Sequence, residues 1–267
     1  MSVLLLALAS GAVIGLALGA LGGGGSVLAV PALIYLLGFT PVAATTAALV
    51  IVTVTTATAL PAHARDGHVR WRTGLLFAAA GTGPAMLGGL VAARLPAAVL
   101  TAAFALVALV AAVRMLRPRV VVADAVPAVV VGSAGTADSA VHTVHEVRPG
   151  RAAAAGAGLG AVTGVLGVGG GFLAVPALVS VLGLRMREAV ATSLLVITLN
   201  SLAALALRAG TAHGLDWAVV GPFAGAAILG SWDGKRLAKK VSGQALQRIF
   251  ALVLLGVAGF MLLGAAV

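Results

Sequence analysis

The sequence predicts an all-α integral membrane protein, a polytopic helical bundle of two inverted-topology repeats whose helices are broken, or turned back as re-entrant hairpins, at glycine. Three observations predict it. Only 9% of the 267 residues are charged and 61% are hydrophobic, with a mean hydropathy of +1.15, whereas a soluble domain of this length needs far more polar surface to cover its core. The apolar residues form uncharged blocks such as Val3–Leu21, Pro41–Pro61 and Gly74–Val91, each near the roughly 20 residues that cross about 30 Å of hydrocarbon. The chain also repeats itself: Leu28-Ala-Val-Pro-Ala-Leu33 recurs letter for letter as Leu173-Ala-Val-Pro-Ala-Leu178, 145 residues on.

Each half parses into five apolar elements. The first gives Val3–Leu21, Ser26–Gly38, Pro41–Ala62, Trp71–Ala93 and Pro96–Met115, and the second Ala152–Leu166, Gly171–Leu184, Ala189–Leu207, Trp217–Leu237 and Gln244–Val267. The predicted organisation is therefore a first transmembrane repeat over 1–116, a connector over 117–151 and a second repeat over 152–267. The first block lacks a basic segment before it and reads as a membrane element, not a cleaved signal. Glycine clusters Gly22–Ser26 and Gly167–Gly171 precede the two second elements. Ser26–Gly38 has 13 residues, only about 20 Å of helix, so the first two elements of each half either cross or form a hairpin with a mid-membrane tip. The span count is six to ten accordingly. Downstream, Ala43–Thr46 matches Ala189–Thr192, Trp71 matches Trp217, and Phe104–Val107 matches Phe250–Val253. In the connector, the valine run of 120–131 is broken by Asp124 and Pro127 and is too short to span.

Under this parse 15 basic residues fall on one side of the membrane and two, Arg94 and Arg208, on the other. The positive-inside rule makes the richer side cytoplasmic, with the connector inside and both termini outside, in a plasma (inner) membrane. Because five is odd, the second copy enters from the opposite side, the inverted organisation common in secondary transporters. The net charge of +10 does not indicate nucleic-acid binding, because the basic residues form no stripe and lack interleaved aromatics. The absence of Cys removes disulfides and thiolate sites. No nucleophile triad, phosphate loop or HExxH occurs, so neither an enzyme nor a cofactor is expected.

Candidate substrate-binding residues come from the glycine clusters and the third elements. Helix starts after Gly25 and Gly170 offer unpaired N–H groups and a positive dipole end to an anion, which singles out Gly24, Gly25, Ser26 and Val27 with Gly169, Gly170, Gly171 and Phe172. Pro31 and Pro176 break the helices further by withholding a donor from the carbonyls four residues back. The competing explanation is that these glycines only allow close helix packing. Thr45, Thr46, Thr192, Ser193 and Asn200 add neutral donors; most such hydroxyls bond their own helix, whereas the amide of Asn200 needs a partner. No carboxylate stands at mid-membrane for proton coupling. Asp233 reads as paired with Lys235 and Arg236 near the basic face, and His63, His68 and His213 as interfacial. His142 and His145 in the connector read as a solvated loop, so no metal site is expected. Trp71 and Trp217 open equivalent elements as interfacial anchors.

The glycine clusters running into LAVPAL, the Ala-Thr-Thr and Ala-Thr-Ser segments about fifteen residues later, and the Gly-x-Val-x-Trp and Gly-Leu-Asp-Trp loops together resemble the sulfite exporter TauE/SafE family. The resemblance covers nearly the whole chain except the connector. It implies a permease that exports sulfite, sulfoacetate or a related organosulfur anion, with the lipid bilayer and a small anion as partners and a homodimer as one open assembly. Arg70, where the family often has an acidic residue, Asp233 within a Gly/Ala-rich helix, and the long connector depart from the pattern. A permease for another solute and a non-transporting scaffold are the alternative readings.

Overall fold

The apolar blocks and the glycine breaks reappear as ten helices in a computed structural model that describes residues 2–92, 97–116, 149–166, 171–207 and 215–266. They are α1 (Ser2–Leu21), α2 (Gly24–Pro31), α3 (Pro41–Arg65), α4 (Trp71–Ala92), α5 (Ala97–Leu116), α6 (Pro149–Leu166), α7 (Gly171–Ser180), α8 (Met186–Leu207), α9 (Trp217–Lys240) and α10 (Gly243–Ala266). Four of them contain stretches long and apolar enough to cross a membrane: Val3–Leu21, Val42–Arg65, Met186–Ala206 and Gly243–Phe260.

Local chemistry sets the ends. Thr40 caps α3, its hydroxyl accepting from the Ala43 N–H at 3.4 Å, with Pro41 in the first helical position. Asp216 caps α9, its carboxylate accepting from the Ala218 N–H at 3.0 Å. The predicted element Ser26–Gly38 resolves into α2 and a π-helical turn, Ala32–Leu36. Pro31, at the junction, has no N–H to give and its ring crowds the preceding turn, and the turn that follows it is the widened one. Residues 149–151, assigned to the connector from sequence, form the first turn of α6, where the missing N–H of Pro149 costs nothing. Positions 117–148 lie outside the described residues, and so do Arg94, Arg208 and His213.

The halves interlock instead of packing as two separate bundles. α1 lies along α9, with Gly11 against the Phe223 carbonyl, Gly15 against Ala227 and Gly19 against Ser231. α6 lies along α4 in the same manner, with Gly156 against Phe77, Gly160 against Gly81 and Gly164 against Ala85. The glycines of α6 are those of α1 shifted by 145 residues. In both pairs the residue numbers rise together, so the helices run parallel. α3 packs on α8, α5 on α10 and α2 on α7, each on its own counterpart. With directions alternating along each half, a first helix parallel to the other half's fourth requires the halves to run in opposite senses, as an inverted repeat does.

Lipid takes the place of solvent around this arrangement. Leu5, Val13, Leu87, Leu106, Leu229 and Leu252 point outward from five different helices, as a hydrocarbon-facing belt requires. The hydroxyl-rich helices are central: 56% of the α3 span and 61% of the α8 span are buried, against 44% for α1 and 33% for α10.

Candidate functional site

The first glycine cluster makes a tight reversal. Gly22 adopts a left-handed φ of +69°, which only glycine takes readily, and its N–H donates to the Leu18 carbonyl at 2.8 Å. A Cβ at Gly22 would stand 2.5 Å from Ser193 Oγ and 3.2 Å from the Val190 carbonyl oxygen. Val190 and Ser193 lie four and seven residues into α8, about 6 and 10 Å along it. The reversal thus packs along the first third of α8, and α1 is long enough to cross. The positive N-terminal end of α2 lies at the reversal and carries no side-chain cap. Gly25 serves packing, since a Cβ there would meet the Ile14 carbonyl oxygen at 2.7 Å as well as Leu18.

Other expected site residues fall into distinct places. Gly24 begins α2 and Gly171 begins α7, while Gly169 and Gly170 lie outside the described residues, as do the side chains of Ser26, Val27 and Phe172. Thr45 and Thr46 are in the first turns of α3, both hydroxyls donating to the Val42 carbonyl at 2.8 and 3.1 Å. Thr192 and Ser193 lie at the other end, beside the Gly22 reversal. The Thr192 hydroxyl accepts from the Arg70 N–H at 3.1 Å, and Ser193 donates to the Val190 carbonyl at 2.8 Å. Pro176 lies buried inside α7.

Between these ends α3 and α8 cross through hydroxyls. Thr198 and Thr56 are joined Oγ1 to Oγ1 at 2.9 Å, twelve residues or about 18 Å along α8. At about the same depth along the two helices are two buried polar atoms without a partner among the described residues, Thr55 Oγ1 on α3 and Asn200 Oδ1 on α8. Buried acceptors left unpaired in a low-dielectric interior are costly and uncommon, so this crossing is suited to a ligand that brings its own donors or water.

Above the Gly22 reversal a cavity of about 390 Å³ opens, with Ala20 and Val190 among its lining residues. His63, Asp66, His68, Arg187, Lys235 and Lys239 also line it. Lys235 Nζ contacts Asp66 at 2.8 Å and also donates to the Ala62 carbonyl, one of the open acceptors at the end of α3. Lys239 approaches the same carboxylate at 3.1 Å, and Arg187 donates to the Lys239 and Val241 carbonyls. Nearby, Arg70 and Glu188 pair at 2.6 Å. Asp233 pairs with Arg236 alone, at 3.3 Å and largely exposed, because Lys235 turns to Asp66. His63, expected at the interface, is instead buried, with Nδ1 3.1 Å from the Ala59 carbonyl oxygen. Trp71 and Trp217 are both half-exposed at the starts of α4 and α9.

The hydrogen bond from Lys235, reinforced by Lys239, holds the Asp66 carboxyl at about 2, below its ordinary 3.8. A depressed carboxyl stabilises the fold fully above its unfolded value and ceases to do so as the pH falls through its folded one. The stability difference between wild type and Asp66→Asn in detergent is therefore expected to be constant above about pH 5 and to vanish between about pH 4 and 2. Decay of that difference near pH 6 would assign it to a histidine.

Sequence reasoning counted Lys239 only toward sidedness and paired Lys235 with Asp233, and nothing along the chain links Asp66 to residues 169 and 173 positions on. It also passed over the glycine stripes of α1 and α6, for which the four-residue spacing, repeated in both halves, was a usable signal.

Comparison with known proteins bears on the whole chain. The profile of the family described as sulfite exporter TauE/SafE matches residues 7–261. A "Probable membrane transporter protein" of Xylella fastidiosa (strain Temecula1 / ATCC 700964) is 34% identical over 259 residues, covering 96% of this chain and 93% of that protein. Its counterpart in strain 9a5c is 33% identical over the same lengths. No solved structure matches the chain.

Proposed function

The chain belongs to the sulfite exporter TauE/SafE family and is a membrane transporter, and on that premise we propose that it exports a small oxyanion, sulfite, sulfoacetate or a related organosulfur compound, across the inner membrane. The observation that carries this reading is an ordered set of groups along α8. The basic cavity comes first, then the Gly22 reversal at Val190 and Ser193, then the Thr56–Thr198 crossing, with Asn200 at about the same depth of α8. Fixed cations raise the local concentration of an anion at the mouth. Neutral hydroxyl and helix N-terminal groups then hold it without a counter-charge that would trap it, and the Asn200 oxygen accepts from the water it carries.

The same groups support a sidedness for the proposal. The ion pairs join the α3–α4 turn to α9 and to the start of α8, segments that the charge count puts on one side. With that side cytoplasmic, both termini lie outside, and an inside-negative potential drives an anion outward by about 2.3 kcal/mol per charge per 100 mV. Export then needs no embedded carboxylate to carry protons.

The test is efflux of sulfite and sulfoacetate from proteoliposomes under an imposed potential. Wild type is expected to give saturable flux. Thr198→Val, which removes the hydroxyl at the α3–α8 crossing, is expected to lower it about tenfold, the worth of one well-made hydrogen bond. Folded protein that moves none of the sulfur anions would sink the proposal in favour of another solute or a scaffold.

A further inference from the structure

Resting on the reading of the substrate as an oxyanion, we propose that Asp66 is a tethered carboxylate occupying the anion position of the basic cavity. A free oxyanion competes with it for Lys235 and Lys239 and so unlatches the α3–α4 turn from α9.

The geometry is that of an anion already bound. One carboxylate oxygen, Asp66 Oδ2, receives two ammonium groups, Lys235 at 2.8 Å and Lys239 at 3.1 Å. Lys239 also reaches Oδ1 at 3.3 Å. A carboxylate and a sulfur oxyanion present the same kind of acceptor to ammonium donors. Asp66 is held there by the chain alone: it is the first residue after α3, and Gly67, at φ +73° with open space around it, turns the chain away.

The charges are out of balance in the direction a ligand would correct. Lys235, Lys239 and Arg187 bring three positive charges to the cavity and Asp66 one negative. Arg187 donates to carbonyl oxygens, with no carboxylate within ion-pair reach among the described residues. His63 and His68 face the same space from the end of α3 and the turn after it. Lys235 is only 14% exposed, and the Asp66 carboxylate and the Ala62 carbonyl that it holds both belong to the end of α3, so an anion that takes its ammonium protons releases that end.

Exchange has a structural consequence. The Asp66 pairs tie the end of α3 to the last two turns of α9, and α9 is locked along α1 through Gly230 and Gly234. Ligand arrival frees α3, whose far side carries Thr56, from that clamp. The cavity that collects the anion thereby loosens the helix at the crossing beyond it.

Two measurements on the full chain in detergent test this. The first is equilibrium binding of inorganic sulfite, with sulfate and sulfoacetate run in parallel. Asp66→Asn, having lost the competitor, is expected to bind at least about fivefold more tightly than wild type, Asp66→Glu to stay near wild type, and Lys235→Met to lose binding. Unchanged or weaker binding by folded Asp66→Asn, or no binding of any of the three anions, overturns the proposal. The second needs no change at Asp66. The chain has no cysteine, so spin labels at Arg65→Cys and Leu237→Cys report the distance between α3 and α9. Sulfite is expected to lengthen it, and an unchanged distance at saturating sulfite overturns the latch. Saturable sulfite flux with the same half-saturating concentration in wild type and Asp66→Asn would leave export standing and remove the exchange. Tighter binding in Asp66→Asn without flux in any form would do the reverse.

Discussion

Leucine at Gly15 or at Gly160 is expected to leave little or no folded protein in the membrane. At Gly15 a Cβ would overlap the Ala227 carbonyl and stand 2.5 Å from the Ala227 Cα; at Gly160 it would stand 2.7 Å from both the carbonyl carbon and the Cα of Gly81. The neighbour in each case is backbone of a parallel helix, which cannot rotate away as a side chain would. Overpacking a core with a side chain costs typically about 1–3 kcal/mol, and separating two helix backbones along about two turns costs more. In lipid no hydrophobic force compensates, because association rests on this close approach. Gly158 is the internal control: it lies on the same helix as Gly160, exposed, with no atom near its absent Cβ. Gly158→Leu is expected to be neutral or slightly stabilising, since leucine favours the helix over glycine by about 0.5–1 kcal/mol. The check is the monodisperse yield and thermal midpoint of the three variants in detergent. Equal yields for Gly160→Leu and Gly158→Leu would mean that α4 and α6 are not in backbone contact.

Asn200→Leu separates architecture from transport. Its Oδ1 is buried without a partner, an arrangement that costs about 1–3 kcal/mol in the absence of a ligand. Leucine has nearly the same volume and no polar atom, so the folded protein is expected to hold its stability or gain. Flux is expected to fall at least about tenfold, because a group able to accept from the water of a passing anion has gone. Stability and flux moving in opposite directions is the signature. A variant that gains stability and keeps wild-type flux would place Asn200 off the pathway.

Much of the fold was legible because hydropathy and glycine act locally. The end at Leu21 and the starts at Pro41, Trp71 and Trp217 agree between sequence and structure. Each is set by a change of polarity, a cap, a proline or a glycine cluster within a few residues. The π-helical turn after Pro31 was not legible, since a missing N–H says that the ladder breaks but not how the next turn closes. The same limit applies to the candidate site. Thr56 and Thr198 were visible as hydroxyls in apolar helices, but their mutual bond joins residues 142 apart. His63 was placed at the interface from its neighbours in sequence, whereas α3 continues to Arg65 and carries it into the cavity wall.

By itself, then, the sequence determined the solvent of this protein, its duplication, the opposed sense of the two halves and the side on which its positive charge collects. Those properties depend on the composition and order of segments of about 20 residues, and the bilayer reads them one segment at a time. Only the tertiary structure decided that α1 pairs with α9 and α6 with α4, so that each half is completed by the other. Helices equally apolar on every side carry no hydrophobic face to name a partner, and the choice falls to the fit of one backbone against a stripe of glycine on another. That choice in turn sets Asp66 against Lys235 and the Gly22 reversal against Ser193, contacts between residues more than 160 positions apart that exist only once the halves have closed on each other.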